Sequence, residues 1–313
     1  MTLALILPPK MAPRWRERFL QIDPAIDVRM WDDLGDPAAI RYALCWRAPA
    51  GAAASLPNLR VIFSMGAGVD HILSDPTTPD VPIVRIVDAD LTNRMSEYVV
   101  MHVLMHHRRQ RLYDRQQRER LWHGHEQWPA SKMRVGIMGI GELGSDAARK
   151  VAMLGFQVAG WSRSPKTLEG IECFHGEAGL NTFLARTDIL VVLLPLTPDT
   201  KGILNRALFA KLAKDGPLGG GVVINAGRGG LQVATDIVSA LDAGDLVAAS
   251  LDVFETEPLD PASPLWQRED IIITPHNAAD SDPDALCAYV LDQIRAHQRG
   301  SALRNVVDPQ RGY

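Results

Sequence analysis

The sequence predicts an α/β fold of two domains, each a doubly wound parallel sheet. Short apolar runs of strand length alternate with amphipathic stretches of helical period across the 313 residues, the pattern of repeated βαβ units. A glycine loop, Gly139-Ile-Gly-Glu-Leu-Gly144, lies between one such run and one such stretch. A last amphipathic stretch follows the final strand of the second domain, placed to return the chain to the first.

In order, Leu3 to Leu7 reads as a strand, Trp15 to Ile22 as a helix, Ile26 to Met30 as a second strand and Val61 to Ser64 as a later one, with Val81 to Val87 closing the region. Residues 1–97 are therefore expected to form the first part of a substrate-binding domain. A long helical stretch near Glu97 opens the second domain, residues 98–284, which contains the glycine loop and strands at Ile189 to Leu194, Val222 to Asn225, Val247 to Leu251 and Ile271 to Thr274. The helix Pro283 to His297, apolar at Leu286, Tyr289, Val290 and Ile294, carries residues 285–313 back to the first domain. Both domains are expected to be Rossmann-like or flavodoxin-like, with an active-site cleft between them, since open parallel sheets bind ligands at the carboxyl ends of their strands.

The glycine loop follows Arg134-Val-Gly-Ile-Met138, suited to a buried parallel strand, and precedes Ser145 to Leu154, where Ala147, Ala148, Val151 and Leu154 recur at helical spacing. Gly139 allows the tight turn, Gly141 lets backbone approach a pyrophosphate, and Gly144 lets the helix pack on the strand. With Ile140, Glu142 and Leu143 these residues make a phosphate cradle at the positive end of a helix. A tight turn without ligand is the competing reading; the strand and helix on either side favour a nucleotide.

The next strand, Gln157-Val-Ala-Gly-Trp161, ends where such folds usually place an acid for the ribose 2′-hydroxyl. Here stand Ser162-Arg163-Ser164-Pro165-Lys166. A guanidinium, an ammonium and hydroxyls would hold a 2′-phosphate that a carboxylate would repel, so NADP(H) is expected over NAD(H), which remains the second cofactor. The alternative is a solvated loop, basic by chance.

Composition narrows the partners. With 46% apolar and 22% charged residues the chain can fill two cores, and a net charge of −4 gives no field for a nucleic acid. The odd, scattered Cys45, Cys173 and Cys287 imply no disulfide framework and fit a reducing cytoplasm. Met1 to Pro9 holds an apolar run shorter than a signal segment with no basic residue before it, and no stretch reaches membrane-span length.

Two clusters have bland readings. His102, His106, His107, His123 and His125 lack the glutamate of an HExxH helix, so no metal is expected. Arg108, Arg109, Arg111, Arg115, Arg118 and Arg120 interleave with Asp114 and Glu119 beside Leu112 and Leu121, which describes a solvated face or a subunit contact.

Leu193-Leu-Pro-Leu-Thr-Pro-Asp-Thr-Lys-Gly202 and Val223-Ile-Asn-Ala-Gly-Arg-Gly229 each end a buried strand and turn over the expected cofactor, placing Leu194, Pro195, Asn225, Ala226 and Gly227 beside it. With Gly66-Ala-Gly-Val-Asp70, Trp161-Ser-Arg, Leu251-Asp-Val-Phe-Glu-Thr-Glu-Pro-Leu259, Ser263-Pro-Leu-Trp266, Thr274-Pro-His276 and Arg311-Gly-Tyr313, they make the chain resemble the D-isomer-specific 2-hydroxyacid dehydrogenase family over nearly its whole length, most of all the glyoxylate/hydroxypyruvate reductase A branch. The resemblance implies a cation at Arg228, an acid at His276 and its carboxylate partner at Glu257. It also implies carboxylate-binding N–H groups at Ala67 and Gly68, a pocket wall at Trp46 and a nicotinamide contact at Asp252. The family's usual dimer points to a homodimer, with the Met101 to Trp122 region as its seam.

Chemistry asks for the same side chains. Reducing a 2-oxo acid needs a cation for the carboxylate and a proton donor for the carbonyl oxygen as hydride arrives. Arg228 offers a planar fork, His276 a proton, and Glu257 a hydrogen bond that fixes the imidazole. The small pocket favours glyoxylate and hydroxypyruvate. Asn277, where the family usually has an apolar residue, and Ala234-Thr235, in place of an acidic pair, depart from the pattern.

Two other functions are open to this sequence. A dehydrogenase of the same fold could act on another 2-hydroxy acid, formate or phosphite, which a substrate panel would reveal. A non-catalytic NAD(P)-sensing protein would bind cofactor without consuming it, and the intact Arg228, Glu257 and His276 set argues against that.

Overall fold

The computed structural model describes residues 1–309, 311 and 312; Tyr313 of the terminal motif lies outside them. The chain divides into two compact units, one of Met1–Leu91 with the segment from Ser281 onward, the other Thr92–Asp280. The crossings fall after Leu91 and Asp280, whereas the sequence analysis placed them after residues 97 and 284. The first crossing lies within the helix Ala89–His107, whose unbroken period carries no mark of it.

The elements run β1 (Thr2–Ile6), α1 (Ala12–Ile22), β2 (Asp27–Met30), β3 (Tyr42–Cys45), β4 (Val61–Ser64), α2 (Asp70–Leu73), β5 (Ile83–Val84) and α3 (Ala89–His107). Next come α4 (Gln110–Arg118), β6 (Arg134–Met138), α5 (Glu142–Met153), β7 (Gln157–Ser162), β8 (Glu172–His175), α6 (Gly176–Ala185) and β9 (Ile189–Val192). The chain continues through α7 (Arg206–Phe209), β10 (Gly221–Asn225), α8 (Ala234–Ala243), β11 (Leu246–Leu251), β12 (Ile271–Ile273) and α9 (Pro283–Gln298).

In the first unit the strands pair in parallel in the order β2-β1-β3-β4-β5. This is the flavodoxin-like winding. Alternation along β1 divides the core: Leu3 and Leu5 pack with Phe19, Val290 and Ile294, while Ala4 and Ile6 pack with Ala52, Leu56 and Ile62. A fully buried side chain such as Phe19 is worth about 1.5–3 kcal/mol over its exposed state. Helix α9 thus belongs to this unit through its own apolar stripe. Strand β5 has two residues rather than the expected run from Val81 to Val87, because Pro82 has no N–H for a ladder.

In the second unit seven parallel strands run β12-β11-β10-β9-β6-β7-β8. The winding reverses between β6 and β9, which places the topological switch point at the glycine loop. Arg134 ties β6 to the residue before β9: its guanidinium donates to both oxygens of Asp188 at 3.0 and 2.7 Å, and its backbone N–H donates to the same carboxylate at 2.9 Å. Asp188 is buried, so this bidentate arrangement compensates its loss of water. Among the described residues no helix is long and apolar enough to cross a membrane.

Helix α3 lays His102 and His106 against β11, where His102 Nδ1 and His106 Nε2 each lie 2.8 Å from the Ser250 hydroxyl. Burial depresses both histidines, His102 to about 4 and His106 to about 3, the latter also through the charges of His102 and Arg111. They are neutral in the folded protein but titrate near 6.5 when unfolded, so protons favour the unfolded chain as pH falls below 6.5, down to the folded values. Denaturant titrations at pH 7 and pH 5 are expected to show a loss of about 2 kcal/mol per histidine at the lower pH. Equal stabilities would refute the buried neutral pair.

Candidate active site

The glycine loop starts from a turn only glycine takes easily. Gly139 has φ +106°, and a Cβ on it would stand 2.7 Å from the Leu193 carbonyl. A Cβ on Gly144 would stand 1.9 Å from the Gly139 carbonyl oxygen, so α5 touches the turn backbone to backbone. A Cβ on Gly141 would meet nothing within 4 Å. The first and third glycines are thus required by the protein's own packing, while the second faces open space at the residue before α5. Helix α5 begins at Glu142, three residues before the expected Ser145, so its first N–H groups belong to the loop itself. A pyrophosphate fits this cradle.

At the end of β7 no carboxylate stands in the ribose position. The Ser162 hydroxyl donates to the Ser164 carbonyl at 2.7 Å, and Lys166 Nζ donates to the Ile140 carbonyl at 3.0 Å. That bond fastens the ammonium to the phosphate cradle. Arg163 lies 3.7 Å from Asp199, both exposed, an ion pair that solvent renders weak.

The loop after β10 carries Arg228. Asn225 Nδ2 donates to the Arg228 carbonyl at 3.1 Å and to Gln232 Oε1 at 2.8 Å, and Asn225 Oδ1 accepts from the Gly227 N–H at 3.1 Å. Gln232 Nε2 donates in turn to the Val253 carbonyl at 3.0 Å, tying the arginine loop to the segment after β11. Sequence reasoning missed Gln232: an amide beside Leu231 carries no periodic signal, and only its burial reveals the tie. Asn225, expected beside the cofactor, directs its side chain into this scaffold. Leu194, Ala226 and Gly227 are buried at the neighbouring strand ends, with Pro195 half-buried. The Arg228 guanidinium is partly buried, with Nη1 donating to the Gly227 carbonyl at 2.8 Å.

Glu257 and His276 come together after β11 and β12. His276 Nδ1 lies 2.8 Å from Glu257 Oε2, and Glu257 Oε1 accepts from the Phe254 N–H at 2.9 Å. A carboxylate held this way is an acceptor, so Nδ1 carries the hydrogen toward Glu257 and Nε2 is the second ring nitrogen. His276 itself takes φ +55°, uncommon for a residue with a side chain. Asp252 is buried behind it, its carboxylate accepting from Thr274, Asn277 and Ala278. The backbone N–H of Asn277, the departure noted beside the histidine, therefore serves the loop.

In the first unit the turn after β4 holds Gly66, Ala67 and Gly68. The Ser64 hydroxyl donates to the Gly68 carbonyl at 2.9 Å, and a Cβ on Gly66 would stand 2.7 Å from the Trp46 ring. Trp46 is half-buried and meets His71 edge to face, 5.0 Å between ring centres.

A phosphate cradle at the switch point, followed at later strand ends by an arginine loop and a carboxylate-backed imidazole, belongs to enzymes that couple hydride transfer to proton transfer. Residues 100–278 match the family model described as D-isomer specific 2-hydroxyacid dehydrogenase, NAD binding domain. The chain belongs to the D-isomer-specific 2-hydroxyacid dehydrogenase family and is an NAD(P)-dependent enzyme of that family. It is 38% identical over 308 residues, 96% of each chain, to glyoxylate/hydroxypyruvate reductase A of Yersinia enterocolitica. A crystal structure of the NADPH-dependent glyoxylate/hydroxypyruvate reductase of Sinorhizobium meliloti, in complex with NADP and sulfate, is 48% identical and superposes with a TM-score of 0.93, covering 100% of this chain and 99% of that one. A D-isomer specific 2-hydroxyacid dehydrogenase of Xanthobacter autotrophicus, solved with NADPH and MES, is 39% identical with the same TM-score of 0.93, covering 100% of this chain and 99% of its own.

Proposed function

We propose that this chain reduces glyoxylate and hydroxypyruvate to the corresponding 2-hydroxy acids with NADPH. The observation that carries the reading is the 2.8 Å contact of His276 Nδ1 with Glu257, which orients the imidazole to act as an acid through Nε2. Relatives that align over the full length are named for this reaction.

The residues divide the work. Arg228 grips the substrate carboxylate through two parallel N–H bonds and polarises the neighbouring ketone. A nicotinamide held by the second unit would supply the hydride that the carbonyl carbon accepts. His276 Nε2 delivers a proton to the carbonyl oxygen, so the ketone gains one hydride and one proton, and the imidazole is left neutral for reprotonation from solvent. Glu257 keeps the ring in place. On the first unit, the turn of Ala67 and Gly68 would offer backbone N–H groups to a carboxylate, with Trp46 beside that turn. Gly139 through Gly144 would hold the pyrophosphate, Ser162, Arg163, Ser164 and Lys166 the 2′-phosphate, and Leu194, Pro195, Ala226 and Gly227, on the loop that Asn225 braces, the nicotinamide side. The first unit, with its return segment, is the substrate domain and the second the cofactor domain.

The test is oxidation of NADPH and of NADH, followed by absorbance, with glyoxylate, hydroxypyruvate, pyruvate and phenylpyruvate. NADPH is expected to show a Michaelis constant lower by about tenfold or more, as one or two charge-assisted bonds to the phosphate imply. Preference for NADH removes the cofactor assignment; binding of NADPH without turnover of any 2-oxo acid removes the reaction.

We place the enzyme in the cytoplasm, in keeping with its three free thiols. We also propose a homodimer through the segment Met101 to Trp122, where Met101, Leu121 and Trp122 are 47%, 52% and 102% exposed. A monomeric mass by light scattering would overturn it.

A further inference from the structure

The acid has a second tether, on its backbone. Asp252, 1% exposed at the end of β11, accepts four hydrogen bonds from the residues around His276. Its Oδ1 accepts from the Thr274 hydroxyl at 2.6 Å and the Asn277 N–H at 3.0 Å, its Oδ2 from the Ala278 N–H at 3.1 Å, and its carbonyl from the His276 N–H at 2.7 Å. These bonds clamp the left-handed turn at His276, a backbone state that costs about 1–2 kcal/mol unless its surroundings impose it. Both carboxylate oxygens are engaged inside the loop.

The clamp reaches back to α3. The Tyr98 hydroxyl lies 2.9 Å from Thr274 Oγ1. A threonine hydroxyl has one proton, and Thr274 gives it to Asp252, so Tyr98 must be the donor to Thr274. The order Tyr98 O–H to Thr274 O–H to Asp252 follows from proton count alone. Burial raises the Tyr98 phenol, with the Asp252 charge acting in the same direction, which keeps the donor protonated. The Tyr98 ring lies 4.0 Å, centre to centre, from that of His102, whose Nδ1 meets Ser250 on β11. The phenol is therefore held from behind.

We propose that Tyr98 and Thr274, acting through the Asp252 carboxylate, are positioning residues for His276. The proposal rests on the reading of His276 as the acid. It predicts effects on turnover with little effect on binding, since the Tyr98 and Thr274 hydroxyls are spent on each other and on the loop that carries the acid.

The decisive series is Thr274→Val, Thr274→Ser and Tyr98→Phe in the full chain. Val keeps the bulk of Thr274 and loses the hydroxyl; Ser does the reverse. Val and Phe are expected to lower kcat about five- to tenfold, the effect of one buried hydrogen bond, with KM for NADPH and glyoxylate within about twofold. Ser is expected to retain at least about half of kcat. Hydrogen exchange of the peptide spanning residues 274–278, measured by mass spectrometry, should quicken in the Val and Phe variants and not in Ser. Unchanged kcat and exchange in Val, or equal loss in Ser and Val, overturns the hydroxyl chain. A rise in KM for NADPH at constant kcat overturns the positioning of the acid by Tyr98 and Thr274. Should the unaltered chain reduce no 2-oxo acid, the proposed reaction fails while the exchange measurement still decides the clamp.

Discussion

Replacing His276 by Gln is expected to lower kcat for glyoxylate reduction by about a hundredfold or more, with KM for NADPH nearly unchanged. Gln fills a similar volume and can hydrogen-bond to Glu257, yet it has no proton to release at neutral pH. Hydride arriving at the carbonyl carbon would leave an alkoxide without a donor. The residual rate would come from orientation and from Arg228, which the substitution leaves in place. The backbone needs a control, because His276 sits at φ +55° and Gln is no better suited to that region. His276→Asn tolerates the left-handed turn better and should be as inactive as Gln if proton donation is what was lost. Glu257→Gln should cost less than either, since the imidazole survives while its orientation loosens. A His276→Gln enzyme within tenfold of the unaltered kcat would refute the acid.

What could be read in the sequence was what depends on residue type and short spacing. Arg134–Met138 and the three glycines after it specify a strand and a turn locally, and the structure has both at those residues. Glu257 and His276 are nineteen apart in sequence, yet each lies on the segment that follows a strand of one parallel sheet, and neighbouring strands of such a sheet end side by side. Family resemblance named them, and their chemistry explained them. Strand β3 escaped notice because Tyr42-Ala-Leu-Cys45 holds no β-branched residue, whereas β4, equally short and buried, opens with Val61-Ile62. The inward use of Asn225 and Asp252 was equally hidden. A polar residue at a strand end reads alike whether or not it ties a loop, and only the positions of Gln232, Thr274 and Ala278 reveal the ties. Tyr98 gave no signal at all, since its partner lies 176 residues away.

Arg228 tests the other half of the reaction. Arg228→Lys keeps the charge but replaces a rigid planar fork by a point donor, and Arg228→Ala removes both. Two charge-assisted bonds contribute about 1.5–3 kcal/mol each, so kcat/KM for glyoxylate is expected to fall by about a hundredfold in Lys and about a thousandfold in Ala. Part of that loss should appear in kcat, because the same fork polarises the ketone as charge develops on its oxygen. The loop itself should survive either change: Asn225 holds it through the Arg228 carbonyl and the Gly227 N–H, backbone groups that no side-chain substitution removes. That independence separates a catalytic arginine from a structural one. Added guanidinium ion should restore part of the Ala variant's activity by entering the vacated space, with KM for NADPH unaffected throughout. An arginine needed only for folding would instead lower the melting temperature, leave kcat per folded molecule intact and show no rescue, which would refute its grip on the carboxylate.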